Sequence, residues 1–247
     1  MARKFIVDLK DINKYHDNDL KIIGSEVKHI NVLRHKISDI IIINNANYEI
    51  KDISKKYVIV TKLGDIEEDI SRNCNVTLFQ SFLKGDKMET VIREATEVGS
   101  KAFVGFFSTN TVVKLDSKAK IKRKLKLENV CLEAIKQCGR TDKINVFDFI
   151  NFNDMLIGLK EYDVCIFAYE KENTSLKEVI NNIKRQSEGM VKNIAVIIGP
   201  EGGFTEDESK RLKSLDNVYS VSLGNIILKS ETAGIYLESI IMYEFEK

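Results

Sequence analysis

The sequence predicts an α/β protein: a parallel sheet covered by helices over residues 71–247, preceded by a small β-rich barrel over residues 1–70. Three observations predict it. Before residue 70, short apolar runs are separated by turn residues, the pattern of a small barrel. From residue 76 onward, apolar runs alternate with helix-length segments, the rhythm of a parallel sheet whose strands are covered on both faces. The single proline of the chain lies in Ile198-Gly199-Pro200-Glu201-Gly202-Gly203-Phe204, between an apolar run and a helix start.

In the first segment, residues 5–7, 40–43, 48–50 and 57–60 are predicted strands, because β-branched and aromatic residues dominate them. Residues 44–47, Asn-Asn-Ala-Asn, are a turn signal between two of them. Residues 26–34 are a short helix. The acidic run Asp65-Ile66-Glu67-Glu68-Asp69 marks a linker. Beyond it come a strand at 76–79 and a helix at 87–98 ended by Gly99. A strand at 103–107 and a long helix at 118–137 closed near Gly139 follow. The remaining elements are a strand at 164–168, a helix at 176–183, a strand at 194–198, a helix at 206–215, a strand at 218–223 and a final helix at 230–245. Thr205 and Glu208 carry the spacing of a capping box, so the fourth of these helices has a defined start.

Composition narrows the function. The chain has 247 residues, 43% hydrophobic and 30% charged, enough apolar content for a packed core. No apolar run approaches the ~20 residues that span a bilayer. The first residues lack the apolar stretch of a secretory signal. The four cysteines (Cys74, Cys131, Cys138, Cys165) form no C-x-x-C, and there are only three histidines, so a metal site is not expected. Reduced thiols in a cytoplasmic protein are the reading, with Cys131 and Cys138 as small core residues. Net charge is only +1, but residues 114–143 hold ten Lys or Arg against four acids. That stretch is either a solvated helix face or a footprint for nucleic-acid phosphates.

The glycine turn at 199–203 excludes two common phosphate binders. No Gly-Lys-[Ser/Thr] follows it, and its spacing is not G-x-G-x-x-G. Nucleophilic catalysis has no support, since no Ser or Cys has the elbow spacing. Loops at the carboxyl ends of strands remain: 168–170, 199–203 and 223–228. Ligands of open α/β sheets bind outside such ends.

These residues carry a resemblance. The segment 198–204, with Ser222-Leu223-Gly224 and Ile227-Leu228-Lys229-Ser230-Glu231-Thr232-Ala233, is similar to the RsmE family of 16S rRNA uridine-N3 methyltransferases, of the SPOUT class. Lys84-Gly85-Asp86-Lys87-Met88-Glu89 leading to Ala95-Thr96-Glu97-Val98-Gly99 resembles that family's first helix. Gln137-Cys138-Gly139-Arg140 resembles its Glu-Gln-x-x-Arg segment, and His29 to Arg34 its His-x-x-x-Leu-Arg motif. Departures occur: Lys136 stands where the family has Glu, Lys229-Ser230 where it has Arg-Thr, and Ser38 where a glycine is frequent.

The resemblance implies a PUA-like barrel, a trefoil knot at the carboxyl-terminal end, a homodimer, and S-adenosylmethionine as methyl donor. The donor would lie against Ile198, Leu223, Ile227 and Leu228, with Ala168 and Tyr169 opposite. Gly199, Gly202, Gly203 and Gly224 would let the backbone close around it, with Thr232 and Ala233 at the start of the last helix. Plain core is the alternative reading of Leu223, Ile227 and Leu228. Arg140 would contact the substrate or stabilise charge on the base, or else be a helix-end cation. Glu201 would be a base, or else an acceptor for turn amides. Arg3, Lys4, His29 and Arg34 would grip rRNA of the small ribosomal subunit, or else His29 and Arg34 serve packing and barrel–helix hydrogen bonds; Lys122, Arg123 and Lys124 would hold its phosphates. Two other functions fit the same pattern: a ribose 2′-O-methyltransferase of the SPOUT class, and an RNA-binding protein without activity.

Overall fold

A computed structural model describes residues 3–16, 18–66, 74–140, 142–187 and 191–245. The chain divides into two compact units, Met1–Ser71 with Ile135–Asp142, and Arg72–Ala134 with Lys143–Lys247. Residues 135–142, which the sequence reading places in the second domain, thus belong to the first unit. Most of the expected linker, residues 67–69, lies outside the described residues.

The first unit holds β1 (Lys4–Phe5), β2 (Ile12–Lys14), β3 (Asp19–Ile22), α1 (Ser25–Val32), β4 (Ile40–Ile43), β5 (Ala46–Ile53) and β6 (Val58–Asp65). They form one sheet in the order β1-β4-β5-β6-β3-β2, with β1 parallel to β4 and the other pairs antiparallel. The strands β2 and β3 have no counterpart in the sequence reading. Of their residues only Ile22 is buried, so no apolar alternation betrays them. The hairpin from β4 to β5 turns on Asn44 and Asn45, both at positive φ (45° and 68°), as a two-residue primed turn demands. Ser38 also sits in the left-handed region, at φ 70°. That geometry explains why a glycine suits this position. Ile22, Val27, Ile30, Ile41, Ile50 and Val60 form the core of the unit.

The second unit holds β7 (Asn75–Ser81), α2 (Lys87–Val98), β8 (Ala102–Phe107), α3 (Ser117–Cys138), β9 (Asn145–Val146), β10 (Ile150–Asn151), α4 (Phe152–Gly158), β11 (Val164–Ala168), α5 (Leu176–Gln186), β12 (Asn193–Ile198), α6 (Glu206–Lys213), β13 (Val218–Val221) and α7 (Ser230–Phe245). The last four residues of α3 are the exception and cluster with the first unit. All strand pairs are parallel, in the order β10-β8-β7-β12-β11-β13, with β9 beside β8. Along β12, Ile194, Val196 and Ile198 point into one core, while Ala195 and Ile197 point into the other. A strand buried on both faces reads as a continuous apolar run, and this one does.

Helix boundaries follow local chemistry. Gly99 ends α2 in the left-handed conformation, and Thr205 with Glu208 forms the capping box of α6. The helix α4 was not anticipated; Asn151 caps it by accepting from the Asp154 amide. Cys74, Cys131 and Cys165 are buried, and burial pushes the Cys165 thiol up to about 12. Cys138 is exposed, which corrects its reading as a core residue: it follows the last apolar turn of α3. No helix among the described residues is long and apolar enough to cross a membrane.

Candidate functional site

The order of the second sheet reverses between β7 and β12, because β8 and β10 lie on one side and β11 and β13 on the other. The loops leaving β11, β12 and β13 therefore converge outside their carboxyl ends. They enclose a cavity of about 520 Å³. Residues 168–170, 198–203, 222–224 and 226–231 line it, together with Lys87 and Ala233. Of the twelve residues expected around a donor, eleven face this cavity. Thr232 does not: it falls on the turn of α7 between two residues that do.

Buried hydrogen bonds fix the walls. Gln80, at the end of β7, is fully buried and donates to Ser230 Oγ at 2.9 Å and to the Ser81 carbonyl at 3.0 Å. Ser230 Oγ in turn donates to the Gly199 carbonyl. One side chain of β7 and one of α7 thus clamp the start of the glycine turn. On its far side, Asn110 donates to the carbonyls of Gly202 (3.2 Å) and Gly203 (3.1 Å). Glu208 closes the capping box and also accepts from the amide and hydroxyl of Thr109.

The glycines answer to the turn itself. A Cβ on Gly199 would lie 2.9 Å from the ring of Phe204, which packs beneath it. Gly203 has φ 66°, and a Cβ there would lie 3.0 Å from Glu170 Oε1. Both contacts are with side chains of the turn and the adjoining loop. At Gly199 and Gly203 the missing side chain thus makes room for Phe204 and Glu170. Leu223 and Leu228 are half-buried against the core. Ile227 is 83% exposed, so it is not a core residue.

The charged side chains of the cavity form a bridge. Lys87, the first residue of α2, lies 3.2 Å from Glu201 Oε1 and 3.3 Å from Glu231 Oε1. Glu201 also accepts from the Lys84 amide at 3.1 Å. Burial pushes the Glu201 carboxyl up, but the Lys84 amide, its own backbone and Lys87 together outweigh this and hold it below the ordinary value. A stabilised carboxylate is a weak base, so the geometry favours the second of the two roles expected for Glu201, acceptor for turn amides and Lys87, over the first. The sequence reading missed Lys87 and Glu231 as site residues, although both stand in motifs it singled out.

Arg140 is placed elsewhere. It lies in the first unit, does not line the cavity, and its guanidinium binds Asp142 through two contacts of 2.9 and 2.8 Å. A bidentate pair satisfies the fork of that side chain within the first unit. Its carbonyl accepts from Lys4. His29 lies 3.2 Å from Glu26, which also receives Lys136 at 2.8 Å. Arg3 and Arg34 are exposed. On α3, Arg123 binds Glu89 at 2.6 Å and Lys124 binds Asp148 at 2.7 Å, so two of the three expected phosphate contacts are engaged internally. Lys122 is exposed and makes no ion pair among the described residues. Among the described residues no His, Cys, Asp or Glu side chains cluster as a metal site requires.

Comparison with known proteins shows the family. Residues 71–242 match the model of an RNA methyltransferase domain family. The chain is 33% identical over 236 residues to the ribosomal RNA small subunit methyltransferase E of Bacillus subtilis, covering 91% of this chain and 90% of that one. It is 30% identical to the enzyme of the same name from Mesomycoplasma hyopneumoniae, over 92% and 95% of the two chains. Among solved structures, the fold is shared with a ribosomal RNA small subunit methyltransferase E from Neisseria gonorrhoeae bound to S-adenosyl methionine. The TM-score there is 0.80 at 21% identity, with 98% of each chain covered.

Proposed function

The chain belongs to the RNA methyltransferase domain family, alongside the ribosomal RNA small subunit methyltransferases E, and from that premise we propose that it methylates N3 of a uridine in 16S rRNA with S-adenosylmethionine as donor. The observation that carries the reading is the cavity at the ends of β11, β12 and β13. Its volume suits a nucleoside-sized ligand. Its walls are half-buried leucines and glycine-turn backbone, with no Gly-Lys phosphate clamp. An adenosine fits such walls, with Ile198, Leu223 and Leu228 against the base and the 199–203 turn closing over it. When bound, S-adenosylmethionine supplies an electrophilic methyl group on a positively charged sulfur, which leaves as a neutral thioether.

The remaining chemistry falls to the chain and the RNA. Uridine N3 carries a proton and is a poor nucleophile until that proton is lost. The walls of the cavity must orient the base and exclude water while the resulting charge is shared by the two carbonyl oxygens. Around this centre the proposal includes a PUA-like barrel in the first unit, a trefoil knot formed by the cavity loops, and a homodimer in the cytoplasm. Support for the dimer comes from Tyr243 on α7, a large side chain 84% exposed outside the cavity, which a second copy would cover.

RNA is held through the first unit, with Arg3 and Arg34 free to meet it, and through the exposed lysines of α3. Neutralising Lys118 and Lys122 should weaken rRNA affinity and lower the salt slope by about one for each lysine on a phosphate. Arg123→Gln should instead lower the melting temperature and leave the slope alone, because Arg123 serves Glu89. Filter binding from low to high salt separates the two outcomes. Equal slopes for all variants would remove α3 from the RNA interface. Calorimetry with S-adenosylmethionine tests the cavity itself, and no binding would refute the reading.

A further inference from the structure

Five charged side chains line the cavity: Lys87 and Lys229 against Glu170, Glu201 and Glu231. The carboxylates outnumber the ammonium groups by one. The excess is held in place rather than dispersed. Lys87 is shared between Glu201 and Glu231, so one ammonium serves two carboxylates on two different walls. Glu231 keeps its second oxygen, Oε2, buried with no hydrogen-bond donor among the described residues. A carboxylate oxygen shielded from water and left without a partner is an electrostatic debt that a cation in the cavity would settle. Lys87 is itself held charged, its pKa raised by the hydrogen bond it donates to Glu201 more than burial lowers it. The excess of the cavity therefore stays at one carboxylate; loss of the Lys87 charge would deepen it to two.

Resting on the reading of this cavity as the donor site, we propose that the Glu201–Lys87–Glu231 bridge makes it a sensor of charge on the donor's sulfur. The sulfonium donor is one positive charge richer than the thioether left after methyl transfer; the two otherwise differ only by the transferred methyl group. A cavity with one excess carboxylate favours the former and releases the latter. Electrostatics of this size, over several ångströms at a partly wet site, is worth roughly a tenfold difference in affinity.

The proposal fixes the sign of three substitutions. Glu231→Gln and Glu201→Gln each remove the excess charge and should shrink the preference for S-adenosylmethionine over S-adenosylhomocysteine several-fold. Lys87→Met adds to the excess and should widen that preference. A bridge that only braced the loops would weaken both ligands together in all three variants, leaving the ratio unchanged. Calorimetry with each ligand on wild type and the three variants, at low and high salt, is the test. Opposite movement of the ratio in the Lys87 and Glu231 variants, damped by salt, upholds the proposal. An unchanged ratio, or movement in the same direction, overturns it. Failure of wild type to bind either ligand would instead overturn the assignment of the cavity.

Discussion

Replacing Glu238 by glutamine should stabilise the protein above neutral pH and do nothing at pH 5. Glu238 is fully buried on α7, where it accepts from the hydroxyl of Ser100, and its second oxygen has no partner among the described residues. Burial pushes its carboxyl up to about 8, against the smaller pull of Ser100. The folded state thus holds a proton that the unfolded chain releases near 4.5. Stability from the protonated group is fully present below about 4.5 and is lost as pH rises through about 8. Over that window the gap between variant and wild type should grow by about 1.4 kcal/mol per pH unit, reaching on the order of a few kcal/mol. Glutamine keeps the shape and needs no proton. Urea denaturation of both proteins from pH 5 to pH 9 reads this directly. Parallel curves would mean that Glu238 is ionised in the fold.

Gly203→Val should abolish binding of S-adenosylmethionine, weakening it at least tenfold. The left-handed backbone at Gly203 costs roughly 1–2 kcal/mol for any side chain, and more for a β-branched one. The added Cβ also meets Glu170 at 3.0 Å. Glu170 can swing aside, but relief of the backbone strain requires moving the turn, which is held by Pro200, whose carbonyl accepts from the Gly203 amide, and by Asn110. The cavity wall therefore shifts even though the new side chain need not enter it. Gly158→Ala is the control: no atom lies within 4 Å of the Cβ it adds. Titration of the purified variants with the donor decides the matter, and full affinity in Gly203→Val would detach the turn from the cavity's function.

Much of this architecture was readable before any coordinates. The bounds of α2 follow from apolar spacing and Gly99, and β11 is one apolar run whose full length is buried or nearly so. The converging loops were legible because glycine and proline cluster where apolar strands end. Short elements were not. The strands β2, β9 and β10 contain two or three residues each, too few for any period to show. Charge partners were the other failure. Arg123 and Lys124 read as free cations in a basic stretch, yet their acids lie 34 and 24 residues away. The bridge from Lys87 to Glu201 spans 114 residues, and only the fold brings the two together. Arg140 is a nearer case: its partner Asp142 stands only two residues on, and the sequence reading still did not pair them.

The account stands on a cavity that delivers a methyl group to a base nitrogen. Incubating the purified protein with small ribosomal subunits and isotopically labelled S-adenosylmethionine, then digesting the 16S rRNA to nucleosides for mass spectrometry, tests this most directly. The account predicts label on one uridine, at N3, and none on ribose. Label on a ribose 2′-hydroxyl, or no transfer from a protein that binds the donor, would contradict it.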